Sequence, residues 1–326
     1  MEKTRAIRIH EIGGPDKMLW EEVSLPDLKP MDILIRHEAI GLNFIDTYHR
    51  SGIYNIPLPA ILGVEGAGII ERVGERVEGF AKGDRVGYIG EPGSYSERRI
   101  IGADSVVKLP KGIDSHMAAA LLSKGMTVEY LLRRTYPVKK GDVVLLHAAA
   151  GGVGSIAAQW LKAIGAITIG TVGSKAKMPL AKSHGCDHVI VYSEENWVRD
   201  VRHFTDGRGV DVVFDGVGKD TFMGSLDCLR PRGYMVTFGN ASGPVPAIEP
   251  LLLARKGSLY LTRPTLAHYT ATRPELEESA QALFDMVQQG AIKVEIGATY
   301  PLEKAANAHR DLQDRKITGS ALLLPQ

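Results

Sequence analysis

The stretch Gly141–Lys162, GDVVLLHAAAGGVGSIAAQWLK, limits the fold more than any other part of the chain. Val143, Val144, Leu145 and Leu146 form an unbroken apolar run, the pattern of a parallel strand covered on both faces. Gly151, Gly152 and Gly154 follow, and Ile156, Ala157, Trp160 and Leu161 then recur at helical spacing. A buried strand, a glycine turn and a helix in immediate succession make a βα unit. In a dinucleotide fingerprint the glycines allow a tight turn and close backbone approach to a pyrophosphate, which the free N–H groups and positive dipole of the helix N-terminus hold. Ala149, Gly151 and Gly154 fill the three fingerprint positions, with alanine in place of the first glycine. Glycine spacing by itself also fits a strand-to-helix turn that binds nothing.

The match is wider than the glycines. From Gly141 and Asp142 through Leu145, the turn Ala149-Ala150-Gly151-Gly152-Val153-Gly154, and on to Gln159 and Lys162, the stretch resembles the quinone oxidoreductase and zeta-crystallin family of medium-chain dehydrogenases/reductases. The resemblance extends to Asn43-Phe44-Ile45-Asp46 near the start and Gly319-Ser320 near the end. It implies an α/β protein with a GroES-like β-rich catalytic domain and a doubly wound parallel-sheet Rossmann domain.

The rest of the chain reads compatibly. Its 326 residues exceed one typical domain, and 44% hydrophobic content suffices for two cores. From Thr4 to about Pro110, short apolar runs such as Ile33-Leu34-Ile35 are broken by Gly and Pro, which argues for bent strands and tight turns. Met117 to Leu122 and Val128 to Leu132 have helical spacing and form a bridge. Beyond Gly141, strands are expected at Val143–Leu146, Ile167–Thr171, His188–Val191, Val210–Phe214, Tyr234–Phe238 and Leu259–Leu261, alternating with helices. Thr272 and Glu275 have capping-box spacing ahead of an apolar stripe, Leu276, Ala280, Leu283, Phe284 and Val287, which Gly290 can end. With the tail returning to the first domain, as the family does, the expected division is 1–124 and 265–326 for the GroES-like domain and 125–264 for the Rossmann domain.

Net charge of +1, with no basic block, gives neither the footprint of a nucleic-acid binder nor a polybasic membrane patch. Partners are therefore expected to be small molecules. Two distant cysteines, Cys186 and Cys228, provide no disulfide framework. The charged N-terminus and the lack of a membrane-length apolar run point to a cytoplasmic protein.

An NAD-preferring fold places Asp or Glu about 20 residues past the glycine turn, where it binds the ribose hydroxyls. Here that region reads Thr171-Val172-Gly173-Ser174-Lys175-Ala176-Lys177, with a hydroxyl and two ammonium groups and no acid to repel a 2′-phosphate. NADPH is the expected cofactor, although Lys175 and Lys177 also read as two solvated lysines. By resemblance, Ser174 and Lys177 contact the 2′-phosphate and Tyr192 the adenosine side. By resemblance Thr127 is another cofactor contact; Gly151, Gly152 and Val153 of the glycine turn, Gly173 and Arg315 are further candidate contacts, as are Phe238 and Gly239, which end a strand on the side where the crevice should open.

Zinc-dependent relatives carry a Cys-His pair in an early loop and a Gly-His-Glu motif soon after. This chain has Asn43-Phe44 and Gly63-Val64-Glu65 at those places, so an amide and an isopropyl group replace ligands that catalytic zinc requires. No metal is expected, and the 10 scattered histidines, including His147, His184 and His188, read as packing or surface residues. Without a metal to polarise a carbonyl, the acceptor should itself be electrophilic, as quinones and conjugated enones are. In the segment Asn43 to Tyr54, the resemblance brings Asn43 and Tyr48 to the nicotinamide and its ribose and Tyr54 to the substrate pocket. Asn43 and Tyr54 are thus the candidate catalytic side chains, against the plainer reading of Tyr54 as packing; Arg263 reads as a pocket residue or a salt bridge. The expected function is NADPH-dependent quinone reduction. An enone or 2-alkenal reductase, and a non-catalytic NADPH-binding sensor or crystallin-like structural protein, are the alternatives. Ser258 to Thr262 is a strand at a sheet edge, rich in apolar and aromatic residues; the resemblance implies that it pairs with its twofold copy in a homodimer, against the plainer reading of an edge covered by the C-terminal segment in a monomer.

Overall fold

The computed structural model describes residues 2–193 and 196–326. In chain order its strands are β1 (Lys3–Ile9), β2 (Leu19–Ser24), β3 (Asp32–Leu42), β4 (Ala60–Ile61), β5 (Glu65–Val73), β6 (Arg85–Ile89), β7 (Arg98–Gly102), β8 (Val106–Lys108), β9 (Val143–Leu146), β10 (Ile167–Val172), β11 (His188–Val191), β12 (Val210–Asp215), β13 (Leu229–Thr237), β14 (Tyr260–Thr262), β15 (Ile296–Pro301) and β16 (Ser320–Leu324). Three helices matter most for the site: α1 (Phe44–Ser51), α2 (Ser115–Tyr130) and α3 (Gly152–Ile164).

The chain divides into two compact units. One comprises the chain through Lys124 with Thr270–Phe284 and Val294–Gln326; the other comprises Gly125–Tyr269 and Asp285–Lys293. Residues 265–269 and 285–293, expected in the first domain, thus cluster with the second unit. Side-chain pairing gives the reason. Tyr269 stacks on Tyr130 at 4.5 Å and its hydroxyl accepts a hydrogen bond from Thr135. Gln159 of α3 donates to the Lys293 carbonyl at 3.1 Å and accepts from its N–H at 2.8 Å.

In the first unit, β1 pairs antiparallel with β2 and with the short β4. The larger sheet runs β15-β16-β3-β5-β6-β8, with β7 also on β3. The C-terminal β16 lies against β3, Ala321 facing Leu42 and Leu323 facing Ile40. Ile7, Ile9, Ile40, Leu42 and Leu323 fill one core, and Ile33, Ile35, Ile70 and Val86 another. Along β3, Ile33 and Ile35 enter the second core and Ile40 and Leu42 the first, with the register shifting between His37 and Ala39. The helix Arg273–Gln288 begins with the expected reciprocal pair: the Thr272 N–H donates to Glu275 Oε2 at 3.0 Å, and the Glu275 N–H to Thr272 Oγ1 at 3.4 Å.

In the second unit six parallel strands run in the order β11-β10-β9-β12-β13-β14. The strand order reverses direction beside β9, which places the crevice of a doubly wound sheet at the C-terminal end of that strand. Val144, Leu145 and Leu146 are 0–1% exposed, as a strand covered on both faces requires. β13 is longer than the expected 234–238, because Leu229 also pairs with Val210.

Candidate active site

β3 runs out at Leu42, and Asn43 then begins α1 in extended conformation. Its backbone N–H donates to Asp46 Oδ2 at 2.9 Å. Its side chain faces other partners: Nδ2 donates to Glu65 Oε2 at 2.8 Å, and Oδ1 accepts from Lys124 Nζ at 3.0 Å. Glu65 opens β5 directly opposite Gly41 of β3, and its Oε1 accepts the Ser123 N–H at 2.6 Å. A Cβ on Gly41 would lie 2.7 Å from the Glu65 carboxyl carbon, and nearer still to Oε2 and the Ala119 carbonyl oxygen. Only glycine leaves room there for the carboxylate. Glu65 is fully buried, and burial pushes its carboxyl up against the opposing pull of the Lys124 ammonium and the Asn43 and Ser123 donors.

A second buried chain leaves from the same turn. Arg50 can only donate, so the 2.9 Å contact of its Nη1 with His309 makes that Nδ1 the acceptor. The His309 Nε2–H therefore donates to Tyr95 Oη at 3.0 Å, and the Tyr95 hydroxyl donates to Asp46 Oδ2 at 2.8 Å. Burial and the adjacent Arg50 lower His309 to about 3, keeping the ring neutral. Burial raises the Asp46 carboxyl to about 7, and its Oδ1 is enclosed with no hydrogen-bond partner.

Tyr48 is buried in α1, and the half-buried Tyr54 sets its ring edge-on to Tyr48 at 5.5 Å. Asn43, Tyr48 and Tyr54 thus stand at the start, middle and exit of one short helix of the first unit. Arg315 is in the same unit but exposed, one residue past the C-cap of the helix Ala305–Gln313.

In the second unit the remaining predicted residues other than Thr127 follow the C-terminal ends of the parallel strands. Gly151 caps α3, and Gly152 and Val153 form its first turn. A Cβ on Gly154 would stand 2.7 Å from Ala149 Cα and nearer still to the Ala148 carbonyl oxygen, so the third fingerprint glycine lets α3 press on the turn. The alanine at the first position is accommodated because Ala149 lies against Gly170, where an added Cβ would be 2.9 Å from the Ala149 methyl. The left-handed residue of the turn is Ala148, at φ 53°. That conformation costs a non-glycine residue about 1 kcal/mol. Gly173, Ser174 and Lys177 follow β10, and Tyr192 follows β11 with its hydroxyl oxygen 3.5 Å from where a Gly173 Cβ would sit. Phe238 and Gly239 follow β13 and pack on Gly216 at the end of β12. Thr127 is half-buried on α2. Arg263 is exposed and donates to the Pro264 carbonyl at 3.2 Å. Of the histidines considered as ligands, His147 is spent between Thr171 Oγ1 and Ser225 Oγ, at 2.8 and 2.9 Å, and His188 stacks on Phe204.

Sequence reasoning did not single out Gly41, Ser123, Lys124, Tyr95, Arg50 and His309. A signal was present for Lys124, a lone cation in the otherwise apolar run MAAALLSKGM.

Two family profiles match the chain: the alcohol dehydrogenase GroES-like domain over residues 29–111 and the zinc-binding dehydrogenase over residues 152–293. Over 98% of its length and 99% of the relative's, the chain is 48% identical to a quinone oxidoreductase of Pseudomonas aeruginosa. The chain belongs to the quinone oxidoreductase family of medium-chain dehydrogenases/reductases. A 2-haloacrylate reductase of a Burkholderia species is 45% identical over 98% of each chain. Among solved structures, Escherichia coli quinone oxidoreductase complexed with NADPH superimposes with a TM-score of 0.96 at 47% identity, covering 99% of this chain and all of that one. The first unit is accordingly the GroES-like domain of the family and the parallel sheet its Rossmann domain.

The zinc-binding profile raises the question whether this member's residues fit that ion. They do not. The Asn43 amide is committed to Glu65 and Lys124, Val64 is a buried isopropyl group, and an ammonium already neighbours the Glu65 carboxylate at 3.6 Å. Among the described residues no group of three or more His, Cys, Asp or Glu is placed to hold a metal.

Proposed function

We propose that the protein reduces quinones with NADPH. The observation that carries this reading is the near-full-length likeness to quinone oxidoreductases, one of them solved as an NADPH complex. The residues of the second unit fit that cofactor: the turn closed by Gly154 leaves backbone N–H groups at Gly152 and Val153, and the segment after β10 offers Ser174 and Lys177 where an NAD-binding chain places an acid. Thr127, Gly151, Gly173, Tyr192, Phe238 and Gly239 complete the nucleotide contacts of the second unit in this reading, and Arg315 of the first unit is a further contact it assigns. Bound NADPH supplies a hydride from nicotinamide C4. The chain's own contribution is to hold the nicotinamide through Asn43 and Tyr48, to face the acceptor with Tyr54, and to exclude water. A quinone stabilises the arriving negative charge by delocalisation, so these neutral side chains suffice without a Lewis acid.

The test is loss of NADPH absorbance on adding a small quinone. Tight NADPH binding without turnover on any acceptor would overturn the enzyme reading in favour of a nucleotide-binding or crystallin-like protein. The 2-haloacrylate reductase relative favours a second reading, reduction of an activated alkene. Faster turnover of enones or haloacrylates than of quinones would select it.

The proposed assembly is a homodimer through residues 258–262. β14 is the outermost strand of its sheet, and Tyr260 and Leu261 are 53% and 36% exposed. The competing occupant of that edge, the C-terminal segment, pairs instead with β3 and β15. Exposed apolar edges are otherwise blunted in soluble proteins. Sedimentation at micromolar concentration should give a dimer; a monomer refutes the proposal. We also assign the protein to the cytoplasm. No helix among the described residues is long and apolar enough to cross a membrane, and fractionation that found it with a membrane or an exported pool would overturn the assignment.

A further inference from the structure

Asn43, which stands at one of the two places where zinc-binding relatives supply a ligand, and Glu65, the residue after the other, meet in this fold at a third group that no motif announces. Lys124 Nζ lies 3.0 Å from Asn43 Oδ1 and 3.6 Å from Glu65 Oε2, with its side chain 8% exposed and that of Glu65 wholly buried. The Asn43 Nδ2 closes the triangle on Glu65 Oε2 at 2.8 Å, and Gly41 leaves room for it. We propose that Lys124 is a positioning residue, a built-in cation that balances the buried Glu65 charge and fixes which way round the Asn43 amide is presented to the reaction. An ammonium can only donate and a carboxylate can only accept. The pair therefore forces the amide oxygen toward Lys124 and the amide nitrogen toward Glu65. Either partner alone would leave a buried charge uncompensated.

The inference rests on the proposed reductase reading for Asn43, and the experiment separates the two. Thermal unfolding of the ligand-free protein tests the charge pair regardless of activity. Lys124→Met should lower Tm by roughly 10 °C, as expected for one half of a buried pair. Adding Glu65→Gln, which removes the stranded charge, should recover at least half of that loss. An unchanged Tm for Lys124→Met, or no recovery on adding Glu65→Gln, overturns the proposal. Turnover of quinone with NADPH then tests positioning. The stable Lys124→Met/Glu65→Gln variant no longer dictates the amide orientation and should lose at least tenfold in kcat, as should Asn43→Ala. Because the pair acts through Asn43, the triple variant should match Asn43→Ala within about threefold. Effects that instead multiply would mean that Lys124 itself touches the reacting atoms, and wild-type kcat in the Lys124→Met/Glu65→Gln variant would mean that the pair is only structural; either overturns the proposal. A wild-type protein with no reductase activity would defeat the functional reading alone, leaving the unfolding test standing.

Discussion

Gly154→Ala is a single methyl whose neighbours have no means of escape. The new Cβ would meet Ala149 Cα at 2.7 Å and the Ala148 carbonyl oxygen closer still, and both are backbone atoms of the tightest turn in the second unit. Ordinary contact begins at 3.4 Å, so α3 and the turn must separate by most of an ångström. Ala148 already sits at φ 53° and has little conformational slack to give. Overpacking of this kind costs about 1–3 kcal/mol, or a fall in Tm of roughly 3–10 °C for a unit of this size. The same displacement withdraws the Gly152 and Val153 N–H groups from the proposed pyrophosphate. Loss of one hydrogen bond to a charged group, about 1.5–3 kcal/mol, weakens NADPH binding ~10- to 150-fold. The assay is paired: thermal unfolding without ligand, and fluorescence titration with NADPH. Gly90→Ala is the control, since an added Cβ there meets nothing within 4 Å and the backbone is not left-handed. Wild-type Tm and NADPH affinity in Gly154→Ala would refute both the packing argument and the assignment of this turn to the phosphates.

Lys177→Ala should weaken NADPH binding by roughly tenfold or more while leaving NADH little changed, and equal losses for both would dismiss the 2′-phosphate role. Asp46 gives a pH signature. Its carboxyl is raised by burial from 3.8 to about 7, so the native state holds this proton more tightly than the unfolded chain does, and the resulting stability is complete below pH 4 and lost as pH rises through 7. Asp46→Asn, which cannot titrate, should therefore gain on the wild type in Tm between pH 4 and 8; a difference that does not vary with pH would contradict the buried proton. Because the side chains of Asn43, Val64 and Glu65 do not fit zinc, the purified protein should keep full quinone turnover after dialysis against a chelator, and loss of activity restored by zinc would show that reading to be wrong.

The local sequence determined the βα unit, because each of its parts is a short-range property. A four-residue apolar run ahead of a glycine turn fits a doubly covered strand, the glycines permit the tight turn, and 3.6-residue spacing makes one helix face. The expected bounds of β9 and β11 coincide with those in the structure for that reason. Replacement of the zinc donors and absence of an acid after β10 were also legible, since they depend on which chemical groups occupy matched positions. Tertiary structure decided everything that joins distant segments. Whether Ala149 could replace a fingerprint glycine depended on Gly170, and the placement of 285–293 depended on Gln159 bonding to Lys293. The clearest case is the buried set around Asn43. Residues 41, 43, 65 and 124 lie on two strands, a helix start and a second helix, and only strand register and helix packing bring an amide, a carboxylate and an ammonium together. A lone lysine in an apolar helix says that a buried charge needs a partner. Which partner it finds is fixed by the fold, because the strength of that pairing depends on distance and burial, and neither is written in sequence spacing.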